Sequence, residues 1–296
     1  MSMPPAEVTL TDELVTSLVA SQHPDLAHLS VKFVEEGWDN ALYRLGDELL
    51  VRLPRRLAAV EAAHHEHRWL VELGPQLSLP IPVPLRLGGP SEDYPWPWSI
   101  VPWFIGVPGD LVEKINERKS AMKLGRFLKE LHQIAPFDAP SNPWRGVALS
   151  ERTEEFDRYS SQIVDLELRS GAREAYAHAL NADAFIGPKH WIHGDLHPAN
   201  ALFVESTLNA IIDFSDLCAG DPATDLAGGW MMLSPPAIGQ MLTAYEGSNG
   251  AMISRARGWA ALFGVLFVVL GQKGRVSYGR IGARTLTNLT KDQFGA

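Results

Sequence analysis

Asp195, Asn200 and Asp213 are three oxygen-bearing side chains set in short polar stretches between apolar ones. Asp195 lies in His193-Gly194-Asp195, and Asn200 closes Asp195-Leu196-His197-Pro198-Ala199-Asn200. Asp213 ends the apolar run Ala210-Ile211-Ile212 and is followed by Phe214. A carboxylate can orient or deprotonate an attacking hydroxyl, while a second carboxylate and an amide oxygen can hold magnesium against nucleotide phosphates. That is the side-chain set phosphoryl transfer needs, because its catalysis is mostly positioning and charge stabilisation. An Asp-x-x-x-x-Asn alone is weak evidence. The ordered set His-Gly-Asp, Asn and Ile-Asp-Phe is strong.

The elements around these residues must make them converge. Trp191-Ile192 reads as the end of an apolar strand, and Pro198 forbids a regular helix just after it. Residues 201–204 are apolar, 205–209 make a turn, and 210–212 form a second strand that delivers Asp213. The prediction is a loop, a hairpin and a second loop. A different chemistry is also open: His193, Asp195 and His197 alternate, so on a strand they share one face, and with Asp213 could form a metallohydrolase centre. Pro198 and the loop character of the segment argue against that strand.

The set His-Gly-Asp-x-x-x-x-Asn, Ile-Asp and Asp225-Leu226-Ala227 resembles the aminoglycoside phosphotransferases, antibiotic kinases with a protein-kinase-like fold. The resemblance implies Asp195 as catalytic aspartate and Asn200 and Asp213 as magnesium ligands. It implies His193 as a support of the catalytic loop and Asp225 as a buried structural carboxylate. Phe214-Ser215 stands where protein kinases have Phe-Gly, a common variation in the family. The implied fold is α+β and bilobal. Residues 1–102 would form a nucleotide-binding lobe of antiparallel sheet plus helix, and residues 103–296 a mostly helical catalytic lobe, with a hinge near 101–106.

The totals agree with such a protein. The 296 residues are 46% hydrophobic and carry a net charge of -9, which disfavours nucleic acid or an anionic membrane as partner and mildly favours cationic small molecules. Cys218 is the sole cysteine, so neither an internal disulfide nor a thiolate zinc site can form. The start has no signal-peptide pattern, and the longest apolar run, residues 259–270, falls short of the ~20 residues a bilayer span needs. A cytoplasmic protein is expected, its oligomeric state open.

The first hundred residues read as a first helix capped at Thr11-Asp12 and then a hairpin over residues 29–53. No Gly-x-x-x-x-Gly-Lys or Gly-x-Gly-x-x-Gly occurs. A polar turn over residues 37–40 takes that place in the resemblance. Arg52 stands where a kinase carries its phosphate-binding lysine, and keeps the charge with a bidentate grip. Its expected partner is Glu66, in a helix over residues 60–73, with Glu61 as the competing choice. His64, His65 and His67 share that helix without a further ligand nearby, and read as exposed histidines rather than a metal site.

Prolines stud residues 79–98 and exclude helix there. Residues 98–105 read as a buried strand running into the hinge, where the resemblance puts the adenine against Trp103 and Phe104. An amphipathic helix follows over residues 120–134, with Met122, Leu124, Phe127, Leu128 and Leu131 on its apolar face. Helices over 151–168 and 172–180 occupy the family's acceptor-pocket region, where Glu154 and Asp157 are candidates to meet a substrate ammonium. The expected function is transfer of a phosphoryl group from ATP or GTP, with magnesium, to a hydroxyl of an aminoglycoside-type antibiotic, as in antibiotic resistance. Macrolides, metabolic alcohols or sugars are the alternative acceptors, and a non-catalytic pseudokinase is the alternative without turnover.

Overall fold

The computed structural model describes residues 4–292 and residue 294. It divides into two compact units, Met1–Gln76 with Pro80–Ile105, and Leu77–Leu79 with Gly106–Ala296.

In the first unit, helix α1 (Asp12–Gln22) starts where Thr11 Oγ1 accepts the Leu14 N–H at 3.2 Å, replacing one orphan helix bond. Its Val15, Leu18 and Val19 recur at helical spacing and are buried. Strands β1 (Val31–Glu36), β2 (Asn40–Leu45) and β3 (Leu49–Pro54) pair antiparallel in sequence order. Helix α2 (Val60–Leu73) follows, then β4 (Arg86–Gly88) and β5 (Trp98–Pro102), giving the sheet order β1-β2-β3-β5-β4. β2 alternates as a half-buried strand must: Ala41, Tyr43 and Leu45 join Val51, Leu53, Trp98 and Ile100 in the core. The strand expected over 98–105 ends at Pro102, its last residue paired with β3, and Trp103–Ile105 lie outside the ladder.

The second unit begins with β6 (Val107–Pro108) and α3 (Glu117–Leu131). Asn116 caps α3 through the Lys119 N–H, so that the helix starts three residues before the predicted 120, and His132 rather than Ile134 closes it. Met122, expected on the buried face, is exposed, while Ala121, Leu124, Phe127, Leu128 and Leu131 are buried. The helix predicted over 151–168 is broken in two: α4 (Thr153–Ser160) stops, and Asp165 caps α5 (Leu166–Leu180) by accepting the Glu167 and Leu168 N–H groups. β7 (His190–Ile192), β8 (Ala201–Val204), β9 (Thr207–Ile211) and β10 (Cys218–Gly220) come next. β8 and β9 form the predicted hairpin, but the turn is confined to residues 205–206 and the second strand begins at Thr207 rather than at 210; β6 lies on the far edge of β8, and β7 pairs with β10.

Short helices α6 (Ala223–Leu226) and α7 (Gly228–Met232) lead into α8 (Pro235–Tyr245), α9 (Gly250–Gln272) and α10 (Val276–Lys291). Asn249 caps α9 through the Met252 N–H, which makes it 23 residues long, beyond the apolar run read from sequence. Among the described residues it is the one helix long and apolar enough to cross a bilayer, but 72% of its apolar window is buried within the protein. Trp259, Ala260, Ala261 and Val265 are fully enclosed, so α9 is the core helix of this unit.

Candidate active site

The loop from His193 to Asn200 is fixed before any reacting group is considered. Gly194 has φ +84°, and a Cβ there would lie 2.6 Å from the Asp216 carbonyl oxygen, so only glycine fits. Asp225, wholly buried, accepts the His193 N–H at 2.6 Å and the Gly194 N–H at 2.9 Å. His132 Nε2 approaches the same carboxylate at 3.2 Å, and His132 Nδ1 lies 2.9 Å from the Tyr245 hydroxyl. His193 Nδ1 accepts the Asp195 N–H at 3.2 Å, so its proton sits on Nε2, which donates to the Ile212 carbonyl at 3.0 Å. One buried imidazole thus joins the loop carrying Asp195 to the strand end carrying Asp213.

Asn200 makes the second join. Its Nδ2 donates to the Asp195 carbonyl at 2.9 Å and lies 3.4 Å from Asp195 Oδ2, while its own carbonyl accepts the Ile212 N–H at 2.9 Å. Asp213 follows with φ +62°, a left-handed backbone that Asp tolerates better than most residues. Ser215 Oγ donates to its Oδ1 at 2.8 Å. The structure therefore brings His193, Asp195, Asn200 and Asp225 into one hydrogen-bonded assembly, joined at Ile212 to the strand end that carries Asp213.

Besides Asn200, the Asp195 carboxylate has two cationic or donor neighbours. His197 Nδ1 accepts the Ala199 N–H at 3.2 Å, which leaves the proton on Nε2, 3.4 Å from Asp195 Oδ2. Arg145 places a guanidinium nitrogen 3.3 Å from Asp195 Oδ1 and another 3.2 Å from Asp216 Oδ2. Burial acts to raise the Asp195 pKa, but His197, Arg145 and His193 together outweigh it and hold the carboxyl well below its usual range. Asp216 goes the other way: burial raises its pKa, with Asp195 and Asp213 adding to the rise against Arg145. Asp195 is thus the more acidic of the two carboxyl groups.

Magnesium prefers hard oxygen ligands, and an amide oxygen plus a carboxylate are such donors. Asn200 and Asp213 fit: the Asn200 amide nitrogen is engaged by Asp195, so its Oδ1 is the side-chain atom left for a cation. The metallohydrolase arrangement does not fit. β7 stops at Ile192, so residues 193–197 do not form a strand, and both ring nitrogens of His193 are engaged by backbone groups. Among the described residues no group of three or more His, Cys, Asp or Glu is placed to hold a metal ion.

In the first unit Arg52 and Glu66 are both buried and ion-paired at 3.0 Å, whereas Glu61 faces His65 at 4.0 Å. The polar turn over 37–40 is tied by Arg55, which donates to the Gly37 carbonyl at 3.0 Å, and by Arg56, paired with Asp39 at 2.6 Å. The Trp103 N–H donates to the Glu48 carbonyl at 2.7 Å and its ring lies under the Arg44 guanidinium at 4.0 Å. Phe104 is half-buried. The α2 histidines differ from expectation: His64 is exposed, but His67 is partly buried, and burial, with His64 and Arg52, pushes its pKa down to about 4. Glu154 and Asp157, the expected substrate carboxylates, sit on the exposed face of α4, while Glu155 between them pairs with Arg152 and Arg158.

The phosphotransferase enzyme family model, APH, matches residues 30–262, which includes every residue of this assembly. The chain belongs to that family. It is an enzyme that transfers phosphate to a hydroxyl group. Solved structures share its α+β, bilobal kinase-like fold at low identity. The GDP complex of aminoglycoside 2'-phosphotransferase-IIIa is 19% identical, covers 95% of this chain and 98% of its own, and superposes with a TM-score of 0.69. The macrolide 2'-phosphotransferase MphH from Brachybacterium faecium is 20% identical over 93% of this chain and 97% of its own, with a TM-score of 0.59. The streptomycin–ATP complex of APH(2")-IIa is 18% identical over 97% and 98%, with a TM-score of 0.60. No curated protein matches the chain in sequence.

Two residues that contact or adjoin Asp195 in this phosphotransferase escaped the sequence reading. Arg145 lies 50 positions before Asp195, in a proline-rich loop with no periodicity to mark it. Asp216 lies in the polar stretch after Asp213, where no motif marks it. A third carboxylate three residues after Asp213 was the only available signal for it.

Proposed function

We propose that this phosphotransferase moves the γ-phosphoryl group of ATP or GTP to a hydroxyl of a small molecule, with Asp195 as the catalytic aspartate. The observation that carries the reading is the Asp195 carboxylate itself, held ionised by His197 and Arg145 and tied through Asn200 and His193 to the segment bearing Asp213. An ionised carboxylate accepts the hydrogen bond of an incoming hydroxyl and aims its oxygen lone pair at phosphorus. As the new O–P bond forms and the bond to the bridging β,γ-oxygen breaks, the hydroxyl proton passes to Asp195. Asn200 and Asp213 would hold magnesium, which supplies charge neutralisation to the phosphates when bound. Arg52, steadied by Glu66, is assigned to the phosphates, and Trp103 and Phe104 to the base.

The reading places the enzyme in the cytoplasm, where nucleotide triphosphates are available. The structural neighbours act on aminoglycosides and macrolides alike, so their shared fold does not select an acceptor. An antibiotic acceptor, and resistance as its consequence, is the first class to test. The experiment is a coupled assay with Mg-ATP and Mg-GTP against aminoglycosides, macrolides, and neutral sugars and alcohols. Turnover of one class supports the proposal. Absence of any nucleotide binding contradicts it, and nucleotide binding without turnover means that the acceptor lies outside the classes tested.

A further inference from the structure

We infer that the acceptor carries no ammonium group beside its reacting hydroxyl, because the chain's own Arg145 holds the position such a group would take. The inference rests on Asp195 being the carboxylate that receives the hydroxyl. A substrate ammonium next to that hydroxyl gains affinity from unpaired carboxylates near Asp195. Three carboxylates are there: one guanidinium spans Asp195 and Asp216, at 3.3 Å and 3.2 Å, and Asp213 is the one assigned to magnesium. A second cation at this place would meet Arg145 at like charge and find no carboxylate free both of it and of the magnesium role assigned to Asp213.

Arg145 is built in rather than draped over the site. Asn142 Nδ2 donates to the other Asp216 oxygen at 2.8 Å, and Asn142 Oδ1 accepts the Trp144 N–H at 2.8 Å. The Ala219 N–H reaches the Pro140 carbonyl at 2.8 Å, and the Asp221 N–H reaches the Gly146 carbonyl at 3.0 Å, so both flanks of the loop are pinned to the β10 region. Gly146 sits at φ +64° with its Cα so close to Gly220 that a Cβ would come within 2.6 Å. The guanidinium also lies over Phe263, 5.3 Å from the ring centre, and its side chain is only 17% exposed. Moving it aside would break this packing and strand two carboxylates.

The neighbouring surface suits a neutral ligand. Trp144, next in the chain and 58% exposed, presents an aromatic plane of the kind on which the apolar face of a sugar rests. Arg152 stacks on it at 4.6 Å and is itself paired with Glu155. The acceptor class assigned is therefore a neutral, polyhydroxylated alcohol at its reacting end, in place of the polycationic one expected from composition.

The test is calorimetric binding of kanamycin to the full chain loaded with magnesium and a non-hydrolysable ATP or GTP analogue, for wild type, Arg145→Met and Arg145→Lys. Removing the guanidinium frees both carboxylates, so Arg145→Met is expected to bind kanamycin at least tenfold more tightly than wild type, and Arg145→Lys is not. Arg145→Gln serves if the Met variant does not fold, with retained nucleotide binding as the criterion of folding. A gain below tenfold, including binding by neither protein, overturns the inference, and so does an equal gain in Arg145→Lys. A wild-type protein that binds no nucleotide would instead remove the phosphotransfer reading, which is read out separately in the same titrations.

Discussion

Replacing Asp225 tests the scaffold of the site most sharply, because its carboxylate is wholly buried and has three partners. In Asp225→Ala the His193 and Gly194 N–H groups lose their acceptor without access to water. Each orphaned buried donor costs about 1–3 kcal/mol. The His132 imidazole also loses its partner, which adds roughly another 1–3 kcal/mol. These contributions overlap, so roughly 4 kcal/mol is expected in all. For a unit of this size that lowers the melting temperature by roughly 8–15 °C. Asp225→Asn should lose nearly as much, since one amide edge then faces a backbone donor. Differential scanning calorimetry of the two variants gives the answer. An Asp225→Asn protein melting within about 2 °C of wild type would refute the claim that this carboxylate holds the loop.

Further perturbations separate the parts. Arg52→Gln should weaken nucleotide affinity about tenfold or more, a loss on the order of 1.4 kcal/mol, with Glu66→Gln moving in the same direction by less; unchanged titrations would remove Arg52 from the phosphate role. Gly194→Ala forces a Cβ against the Asp216 carbonyl at φ +84° and should cost roughly 2 kcal/mol or more, visible as a lower urea midpoint. His67 gives a pH dependence of defined sign. Burial lowers its folded pKa to about 4, below the ordinary 6.5, so the unfolded chain binds the extra proton between these values. Its contribution is present above pH 6.5 and is lost as pH falls toward 4. Urea midpoints should fall over that window, and less so in His67→Gln; identical slopes for both proteins would contradict the assignment.

How far the sequence carries depends on the reach of each interaction. The hairpin delivering Asp213, the Thr11 cap and the buried face of α1 are local, and residue types and period sufficed to find them. The pairing of Arg52 with Glu66 was expected from the family resemblance, which places a helix glutamate beside this strand position, and Glu61 was its competitor. Boundaries set by a capping side chain moved: Asp165 broke a helix that periodicity alone would continue, and Asn249 lengthened α9. The guanidinium and carboxylate beside Asp195 were not legible. Arg145 reaches it only because a loop is pinned to the β10 region by backbone hydrogen bonds, and no spacing rule encodes such a tertiary contact. The partial burial of His67 is of the same kind, set by how α2 seats and not by the spacing of its histidines.

The central claim is that Asp195 directs phosphoryl transfer to a hydroxyl while other residues hold the nucleotide. The most direct measurement follows the phosphorus itself: ³¹P spectra of Mg-ATP and Mg-GTP with the acceptor panel, for wild type and for Asp195→Asn, beside nucleotide affinities of both proteins. The account predicts a phosphomonoester signal with wild type, a loss of at least a hundredfold in its rate with Asp195→Asn, on the order expected for removing a general base, and nucleotide affinities within a few-fold of each other. A phosphomonoester formed by Asp195→Asn at the wild-type rate would contradict it.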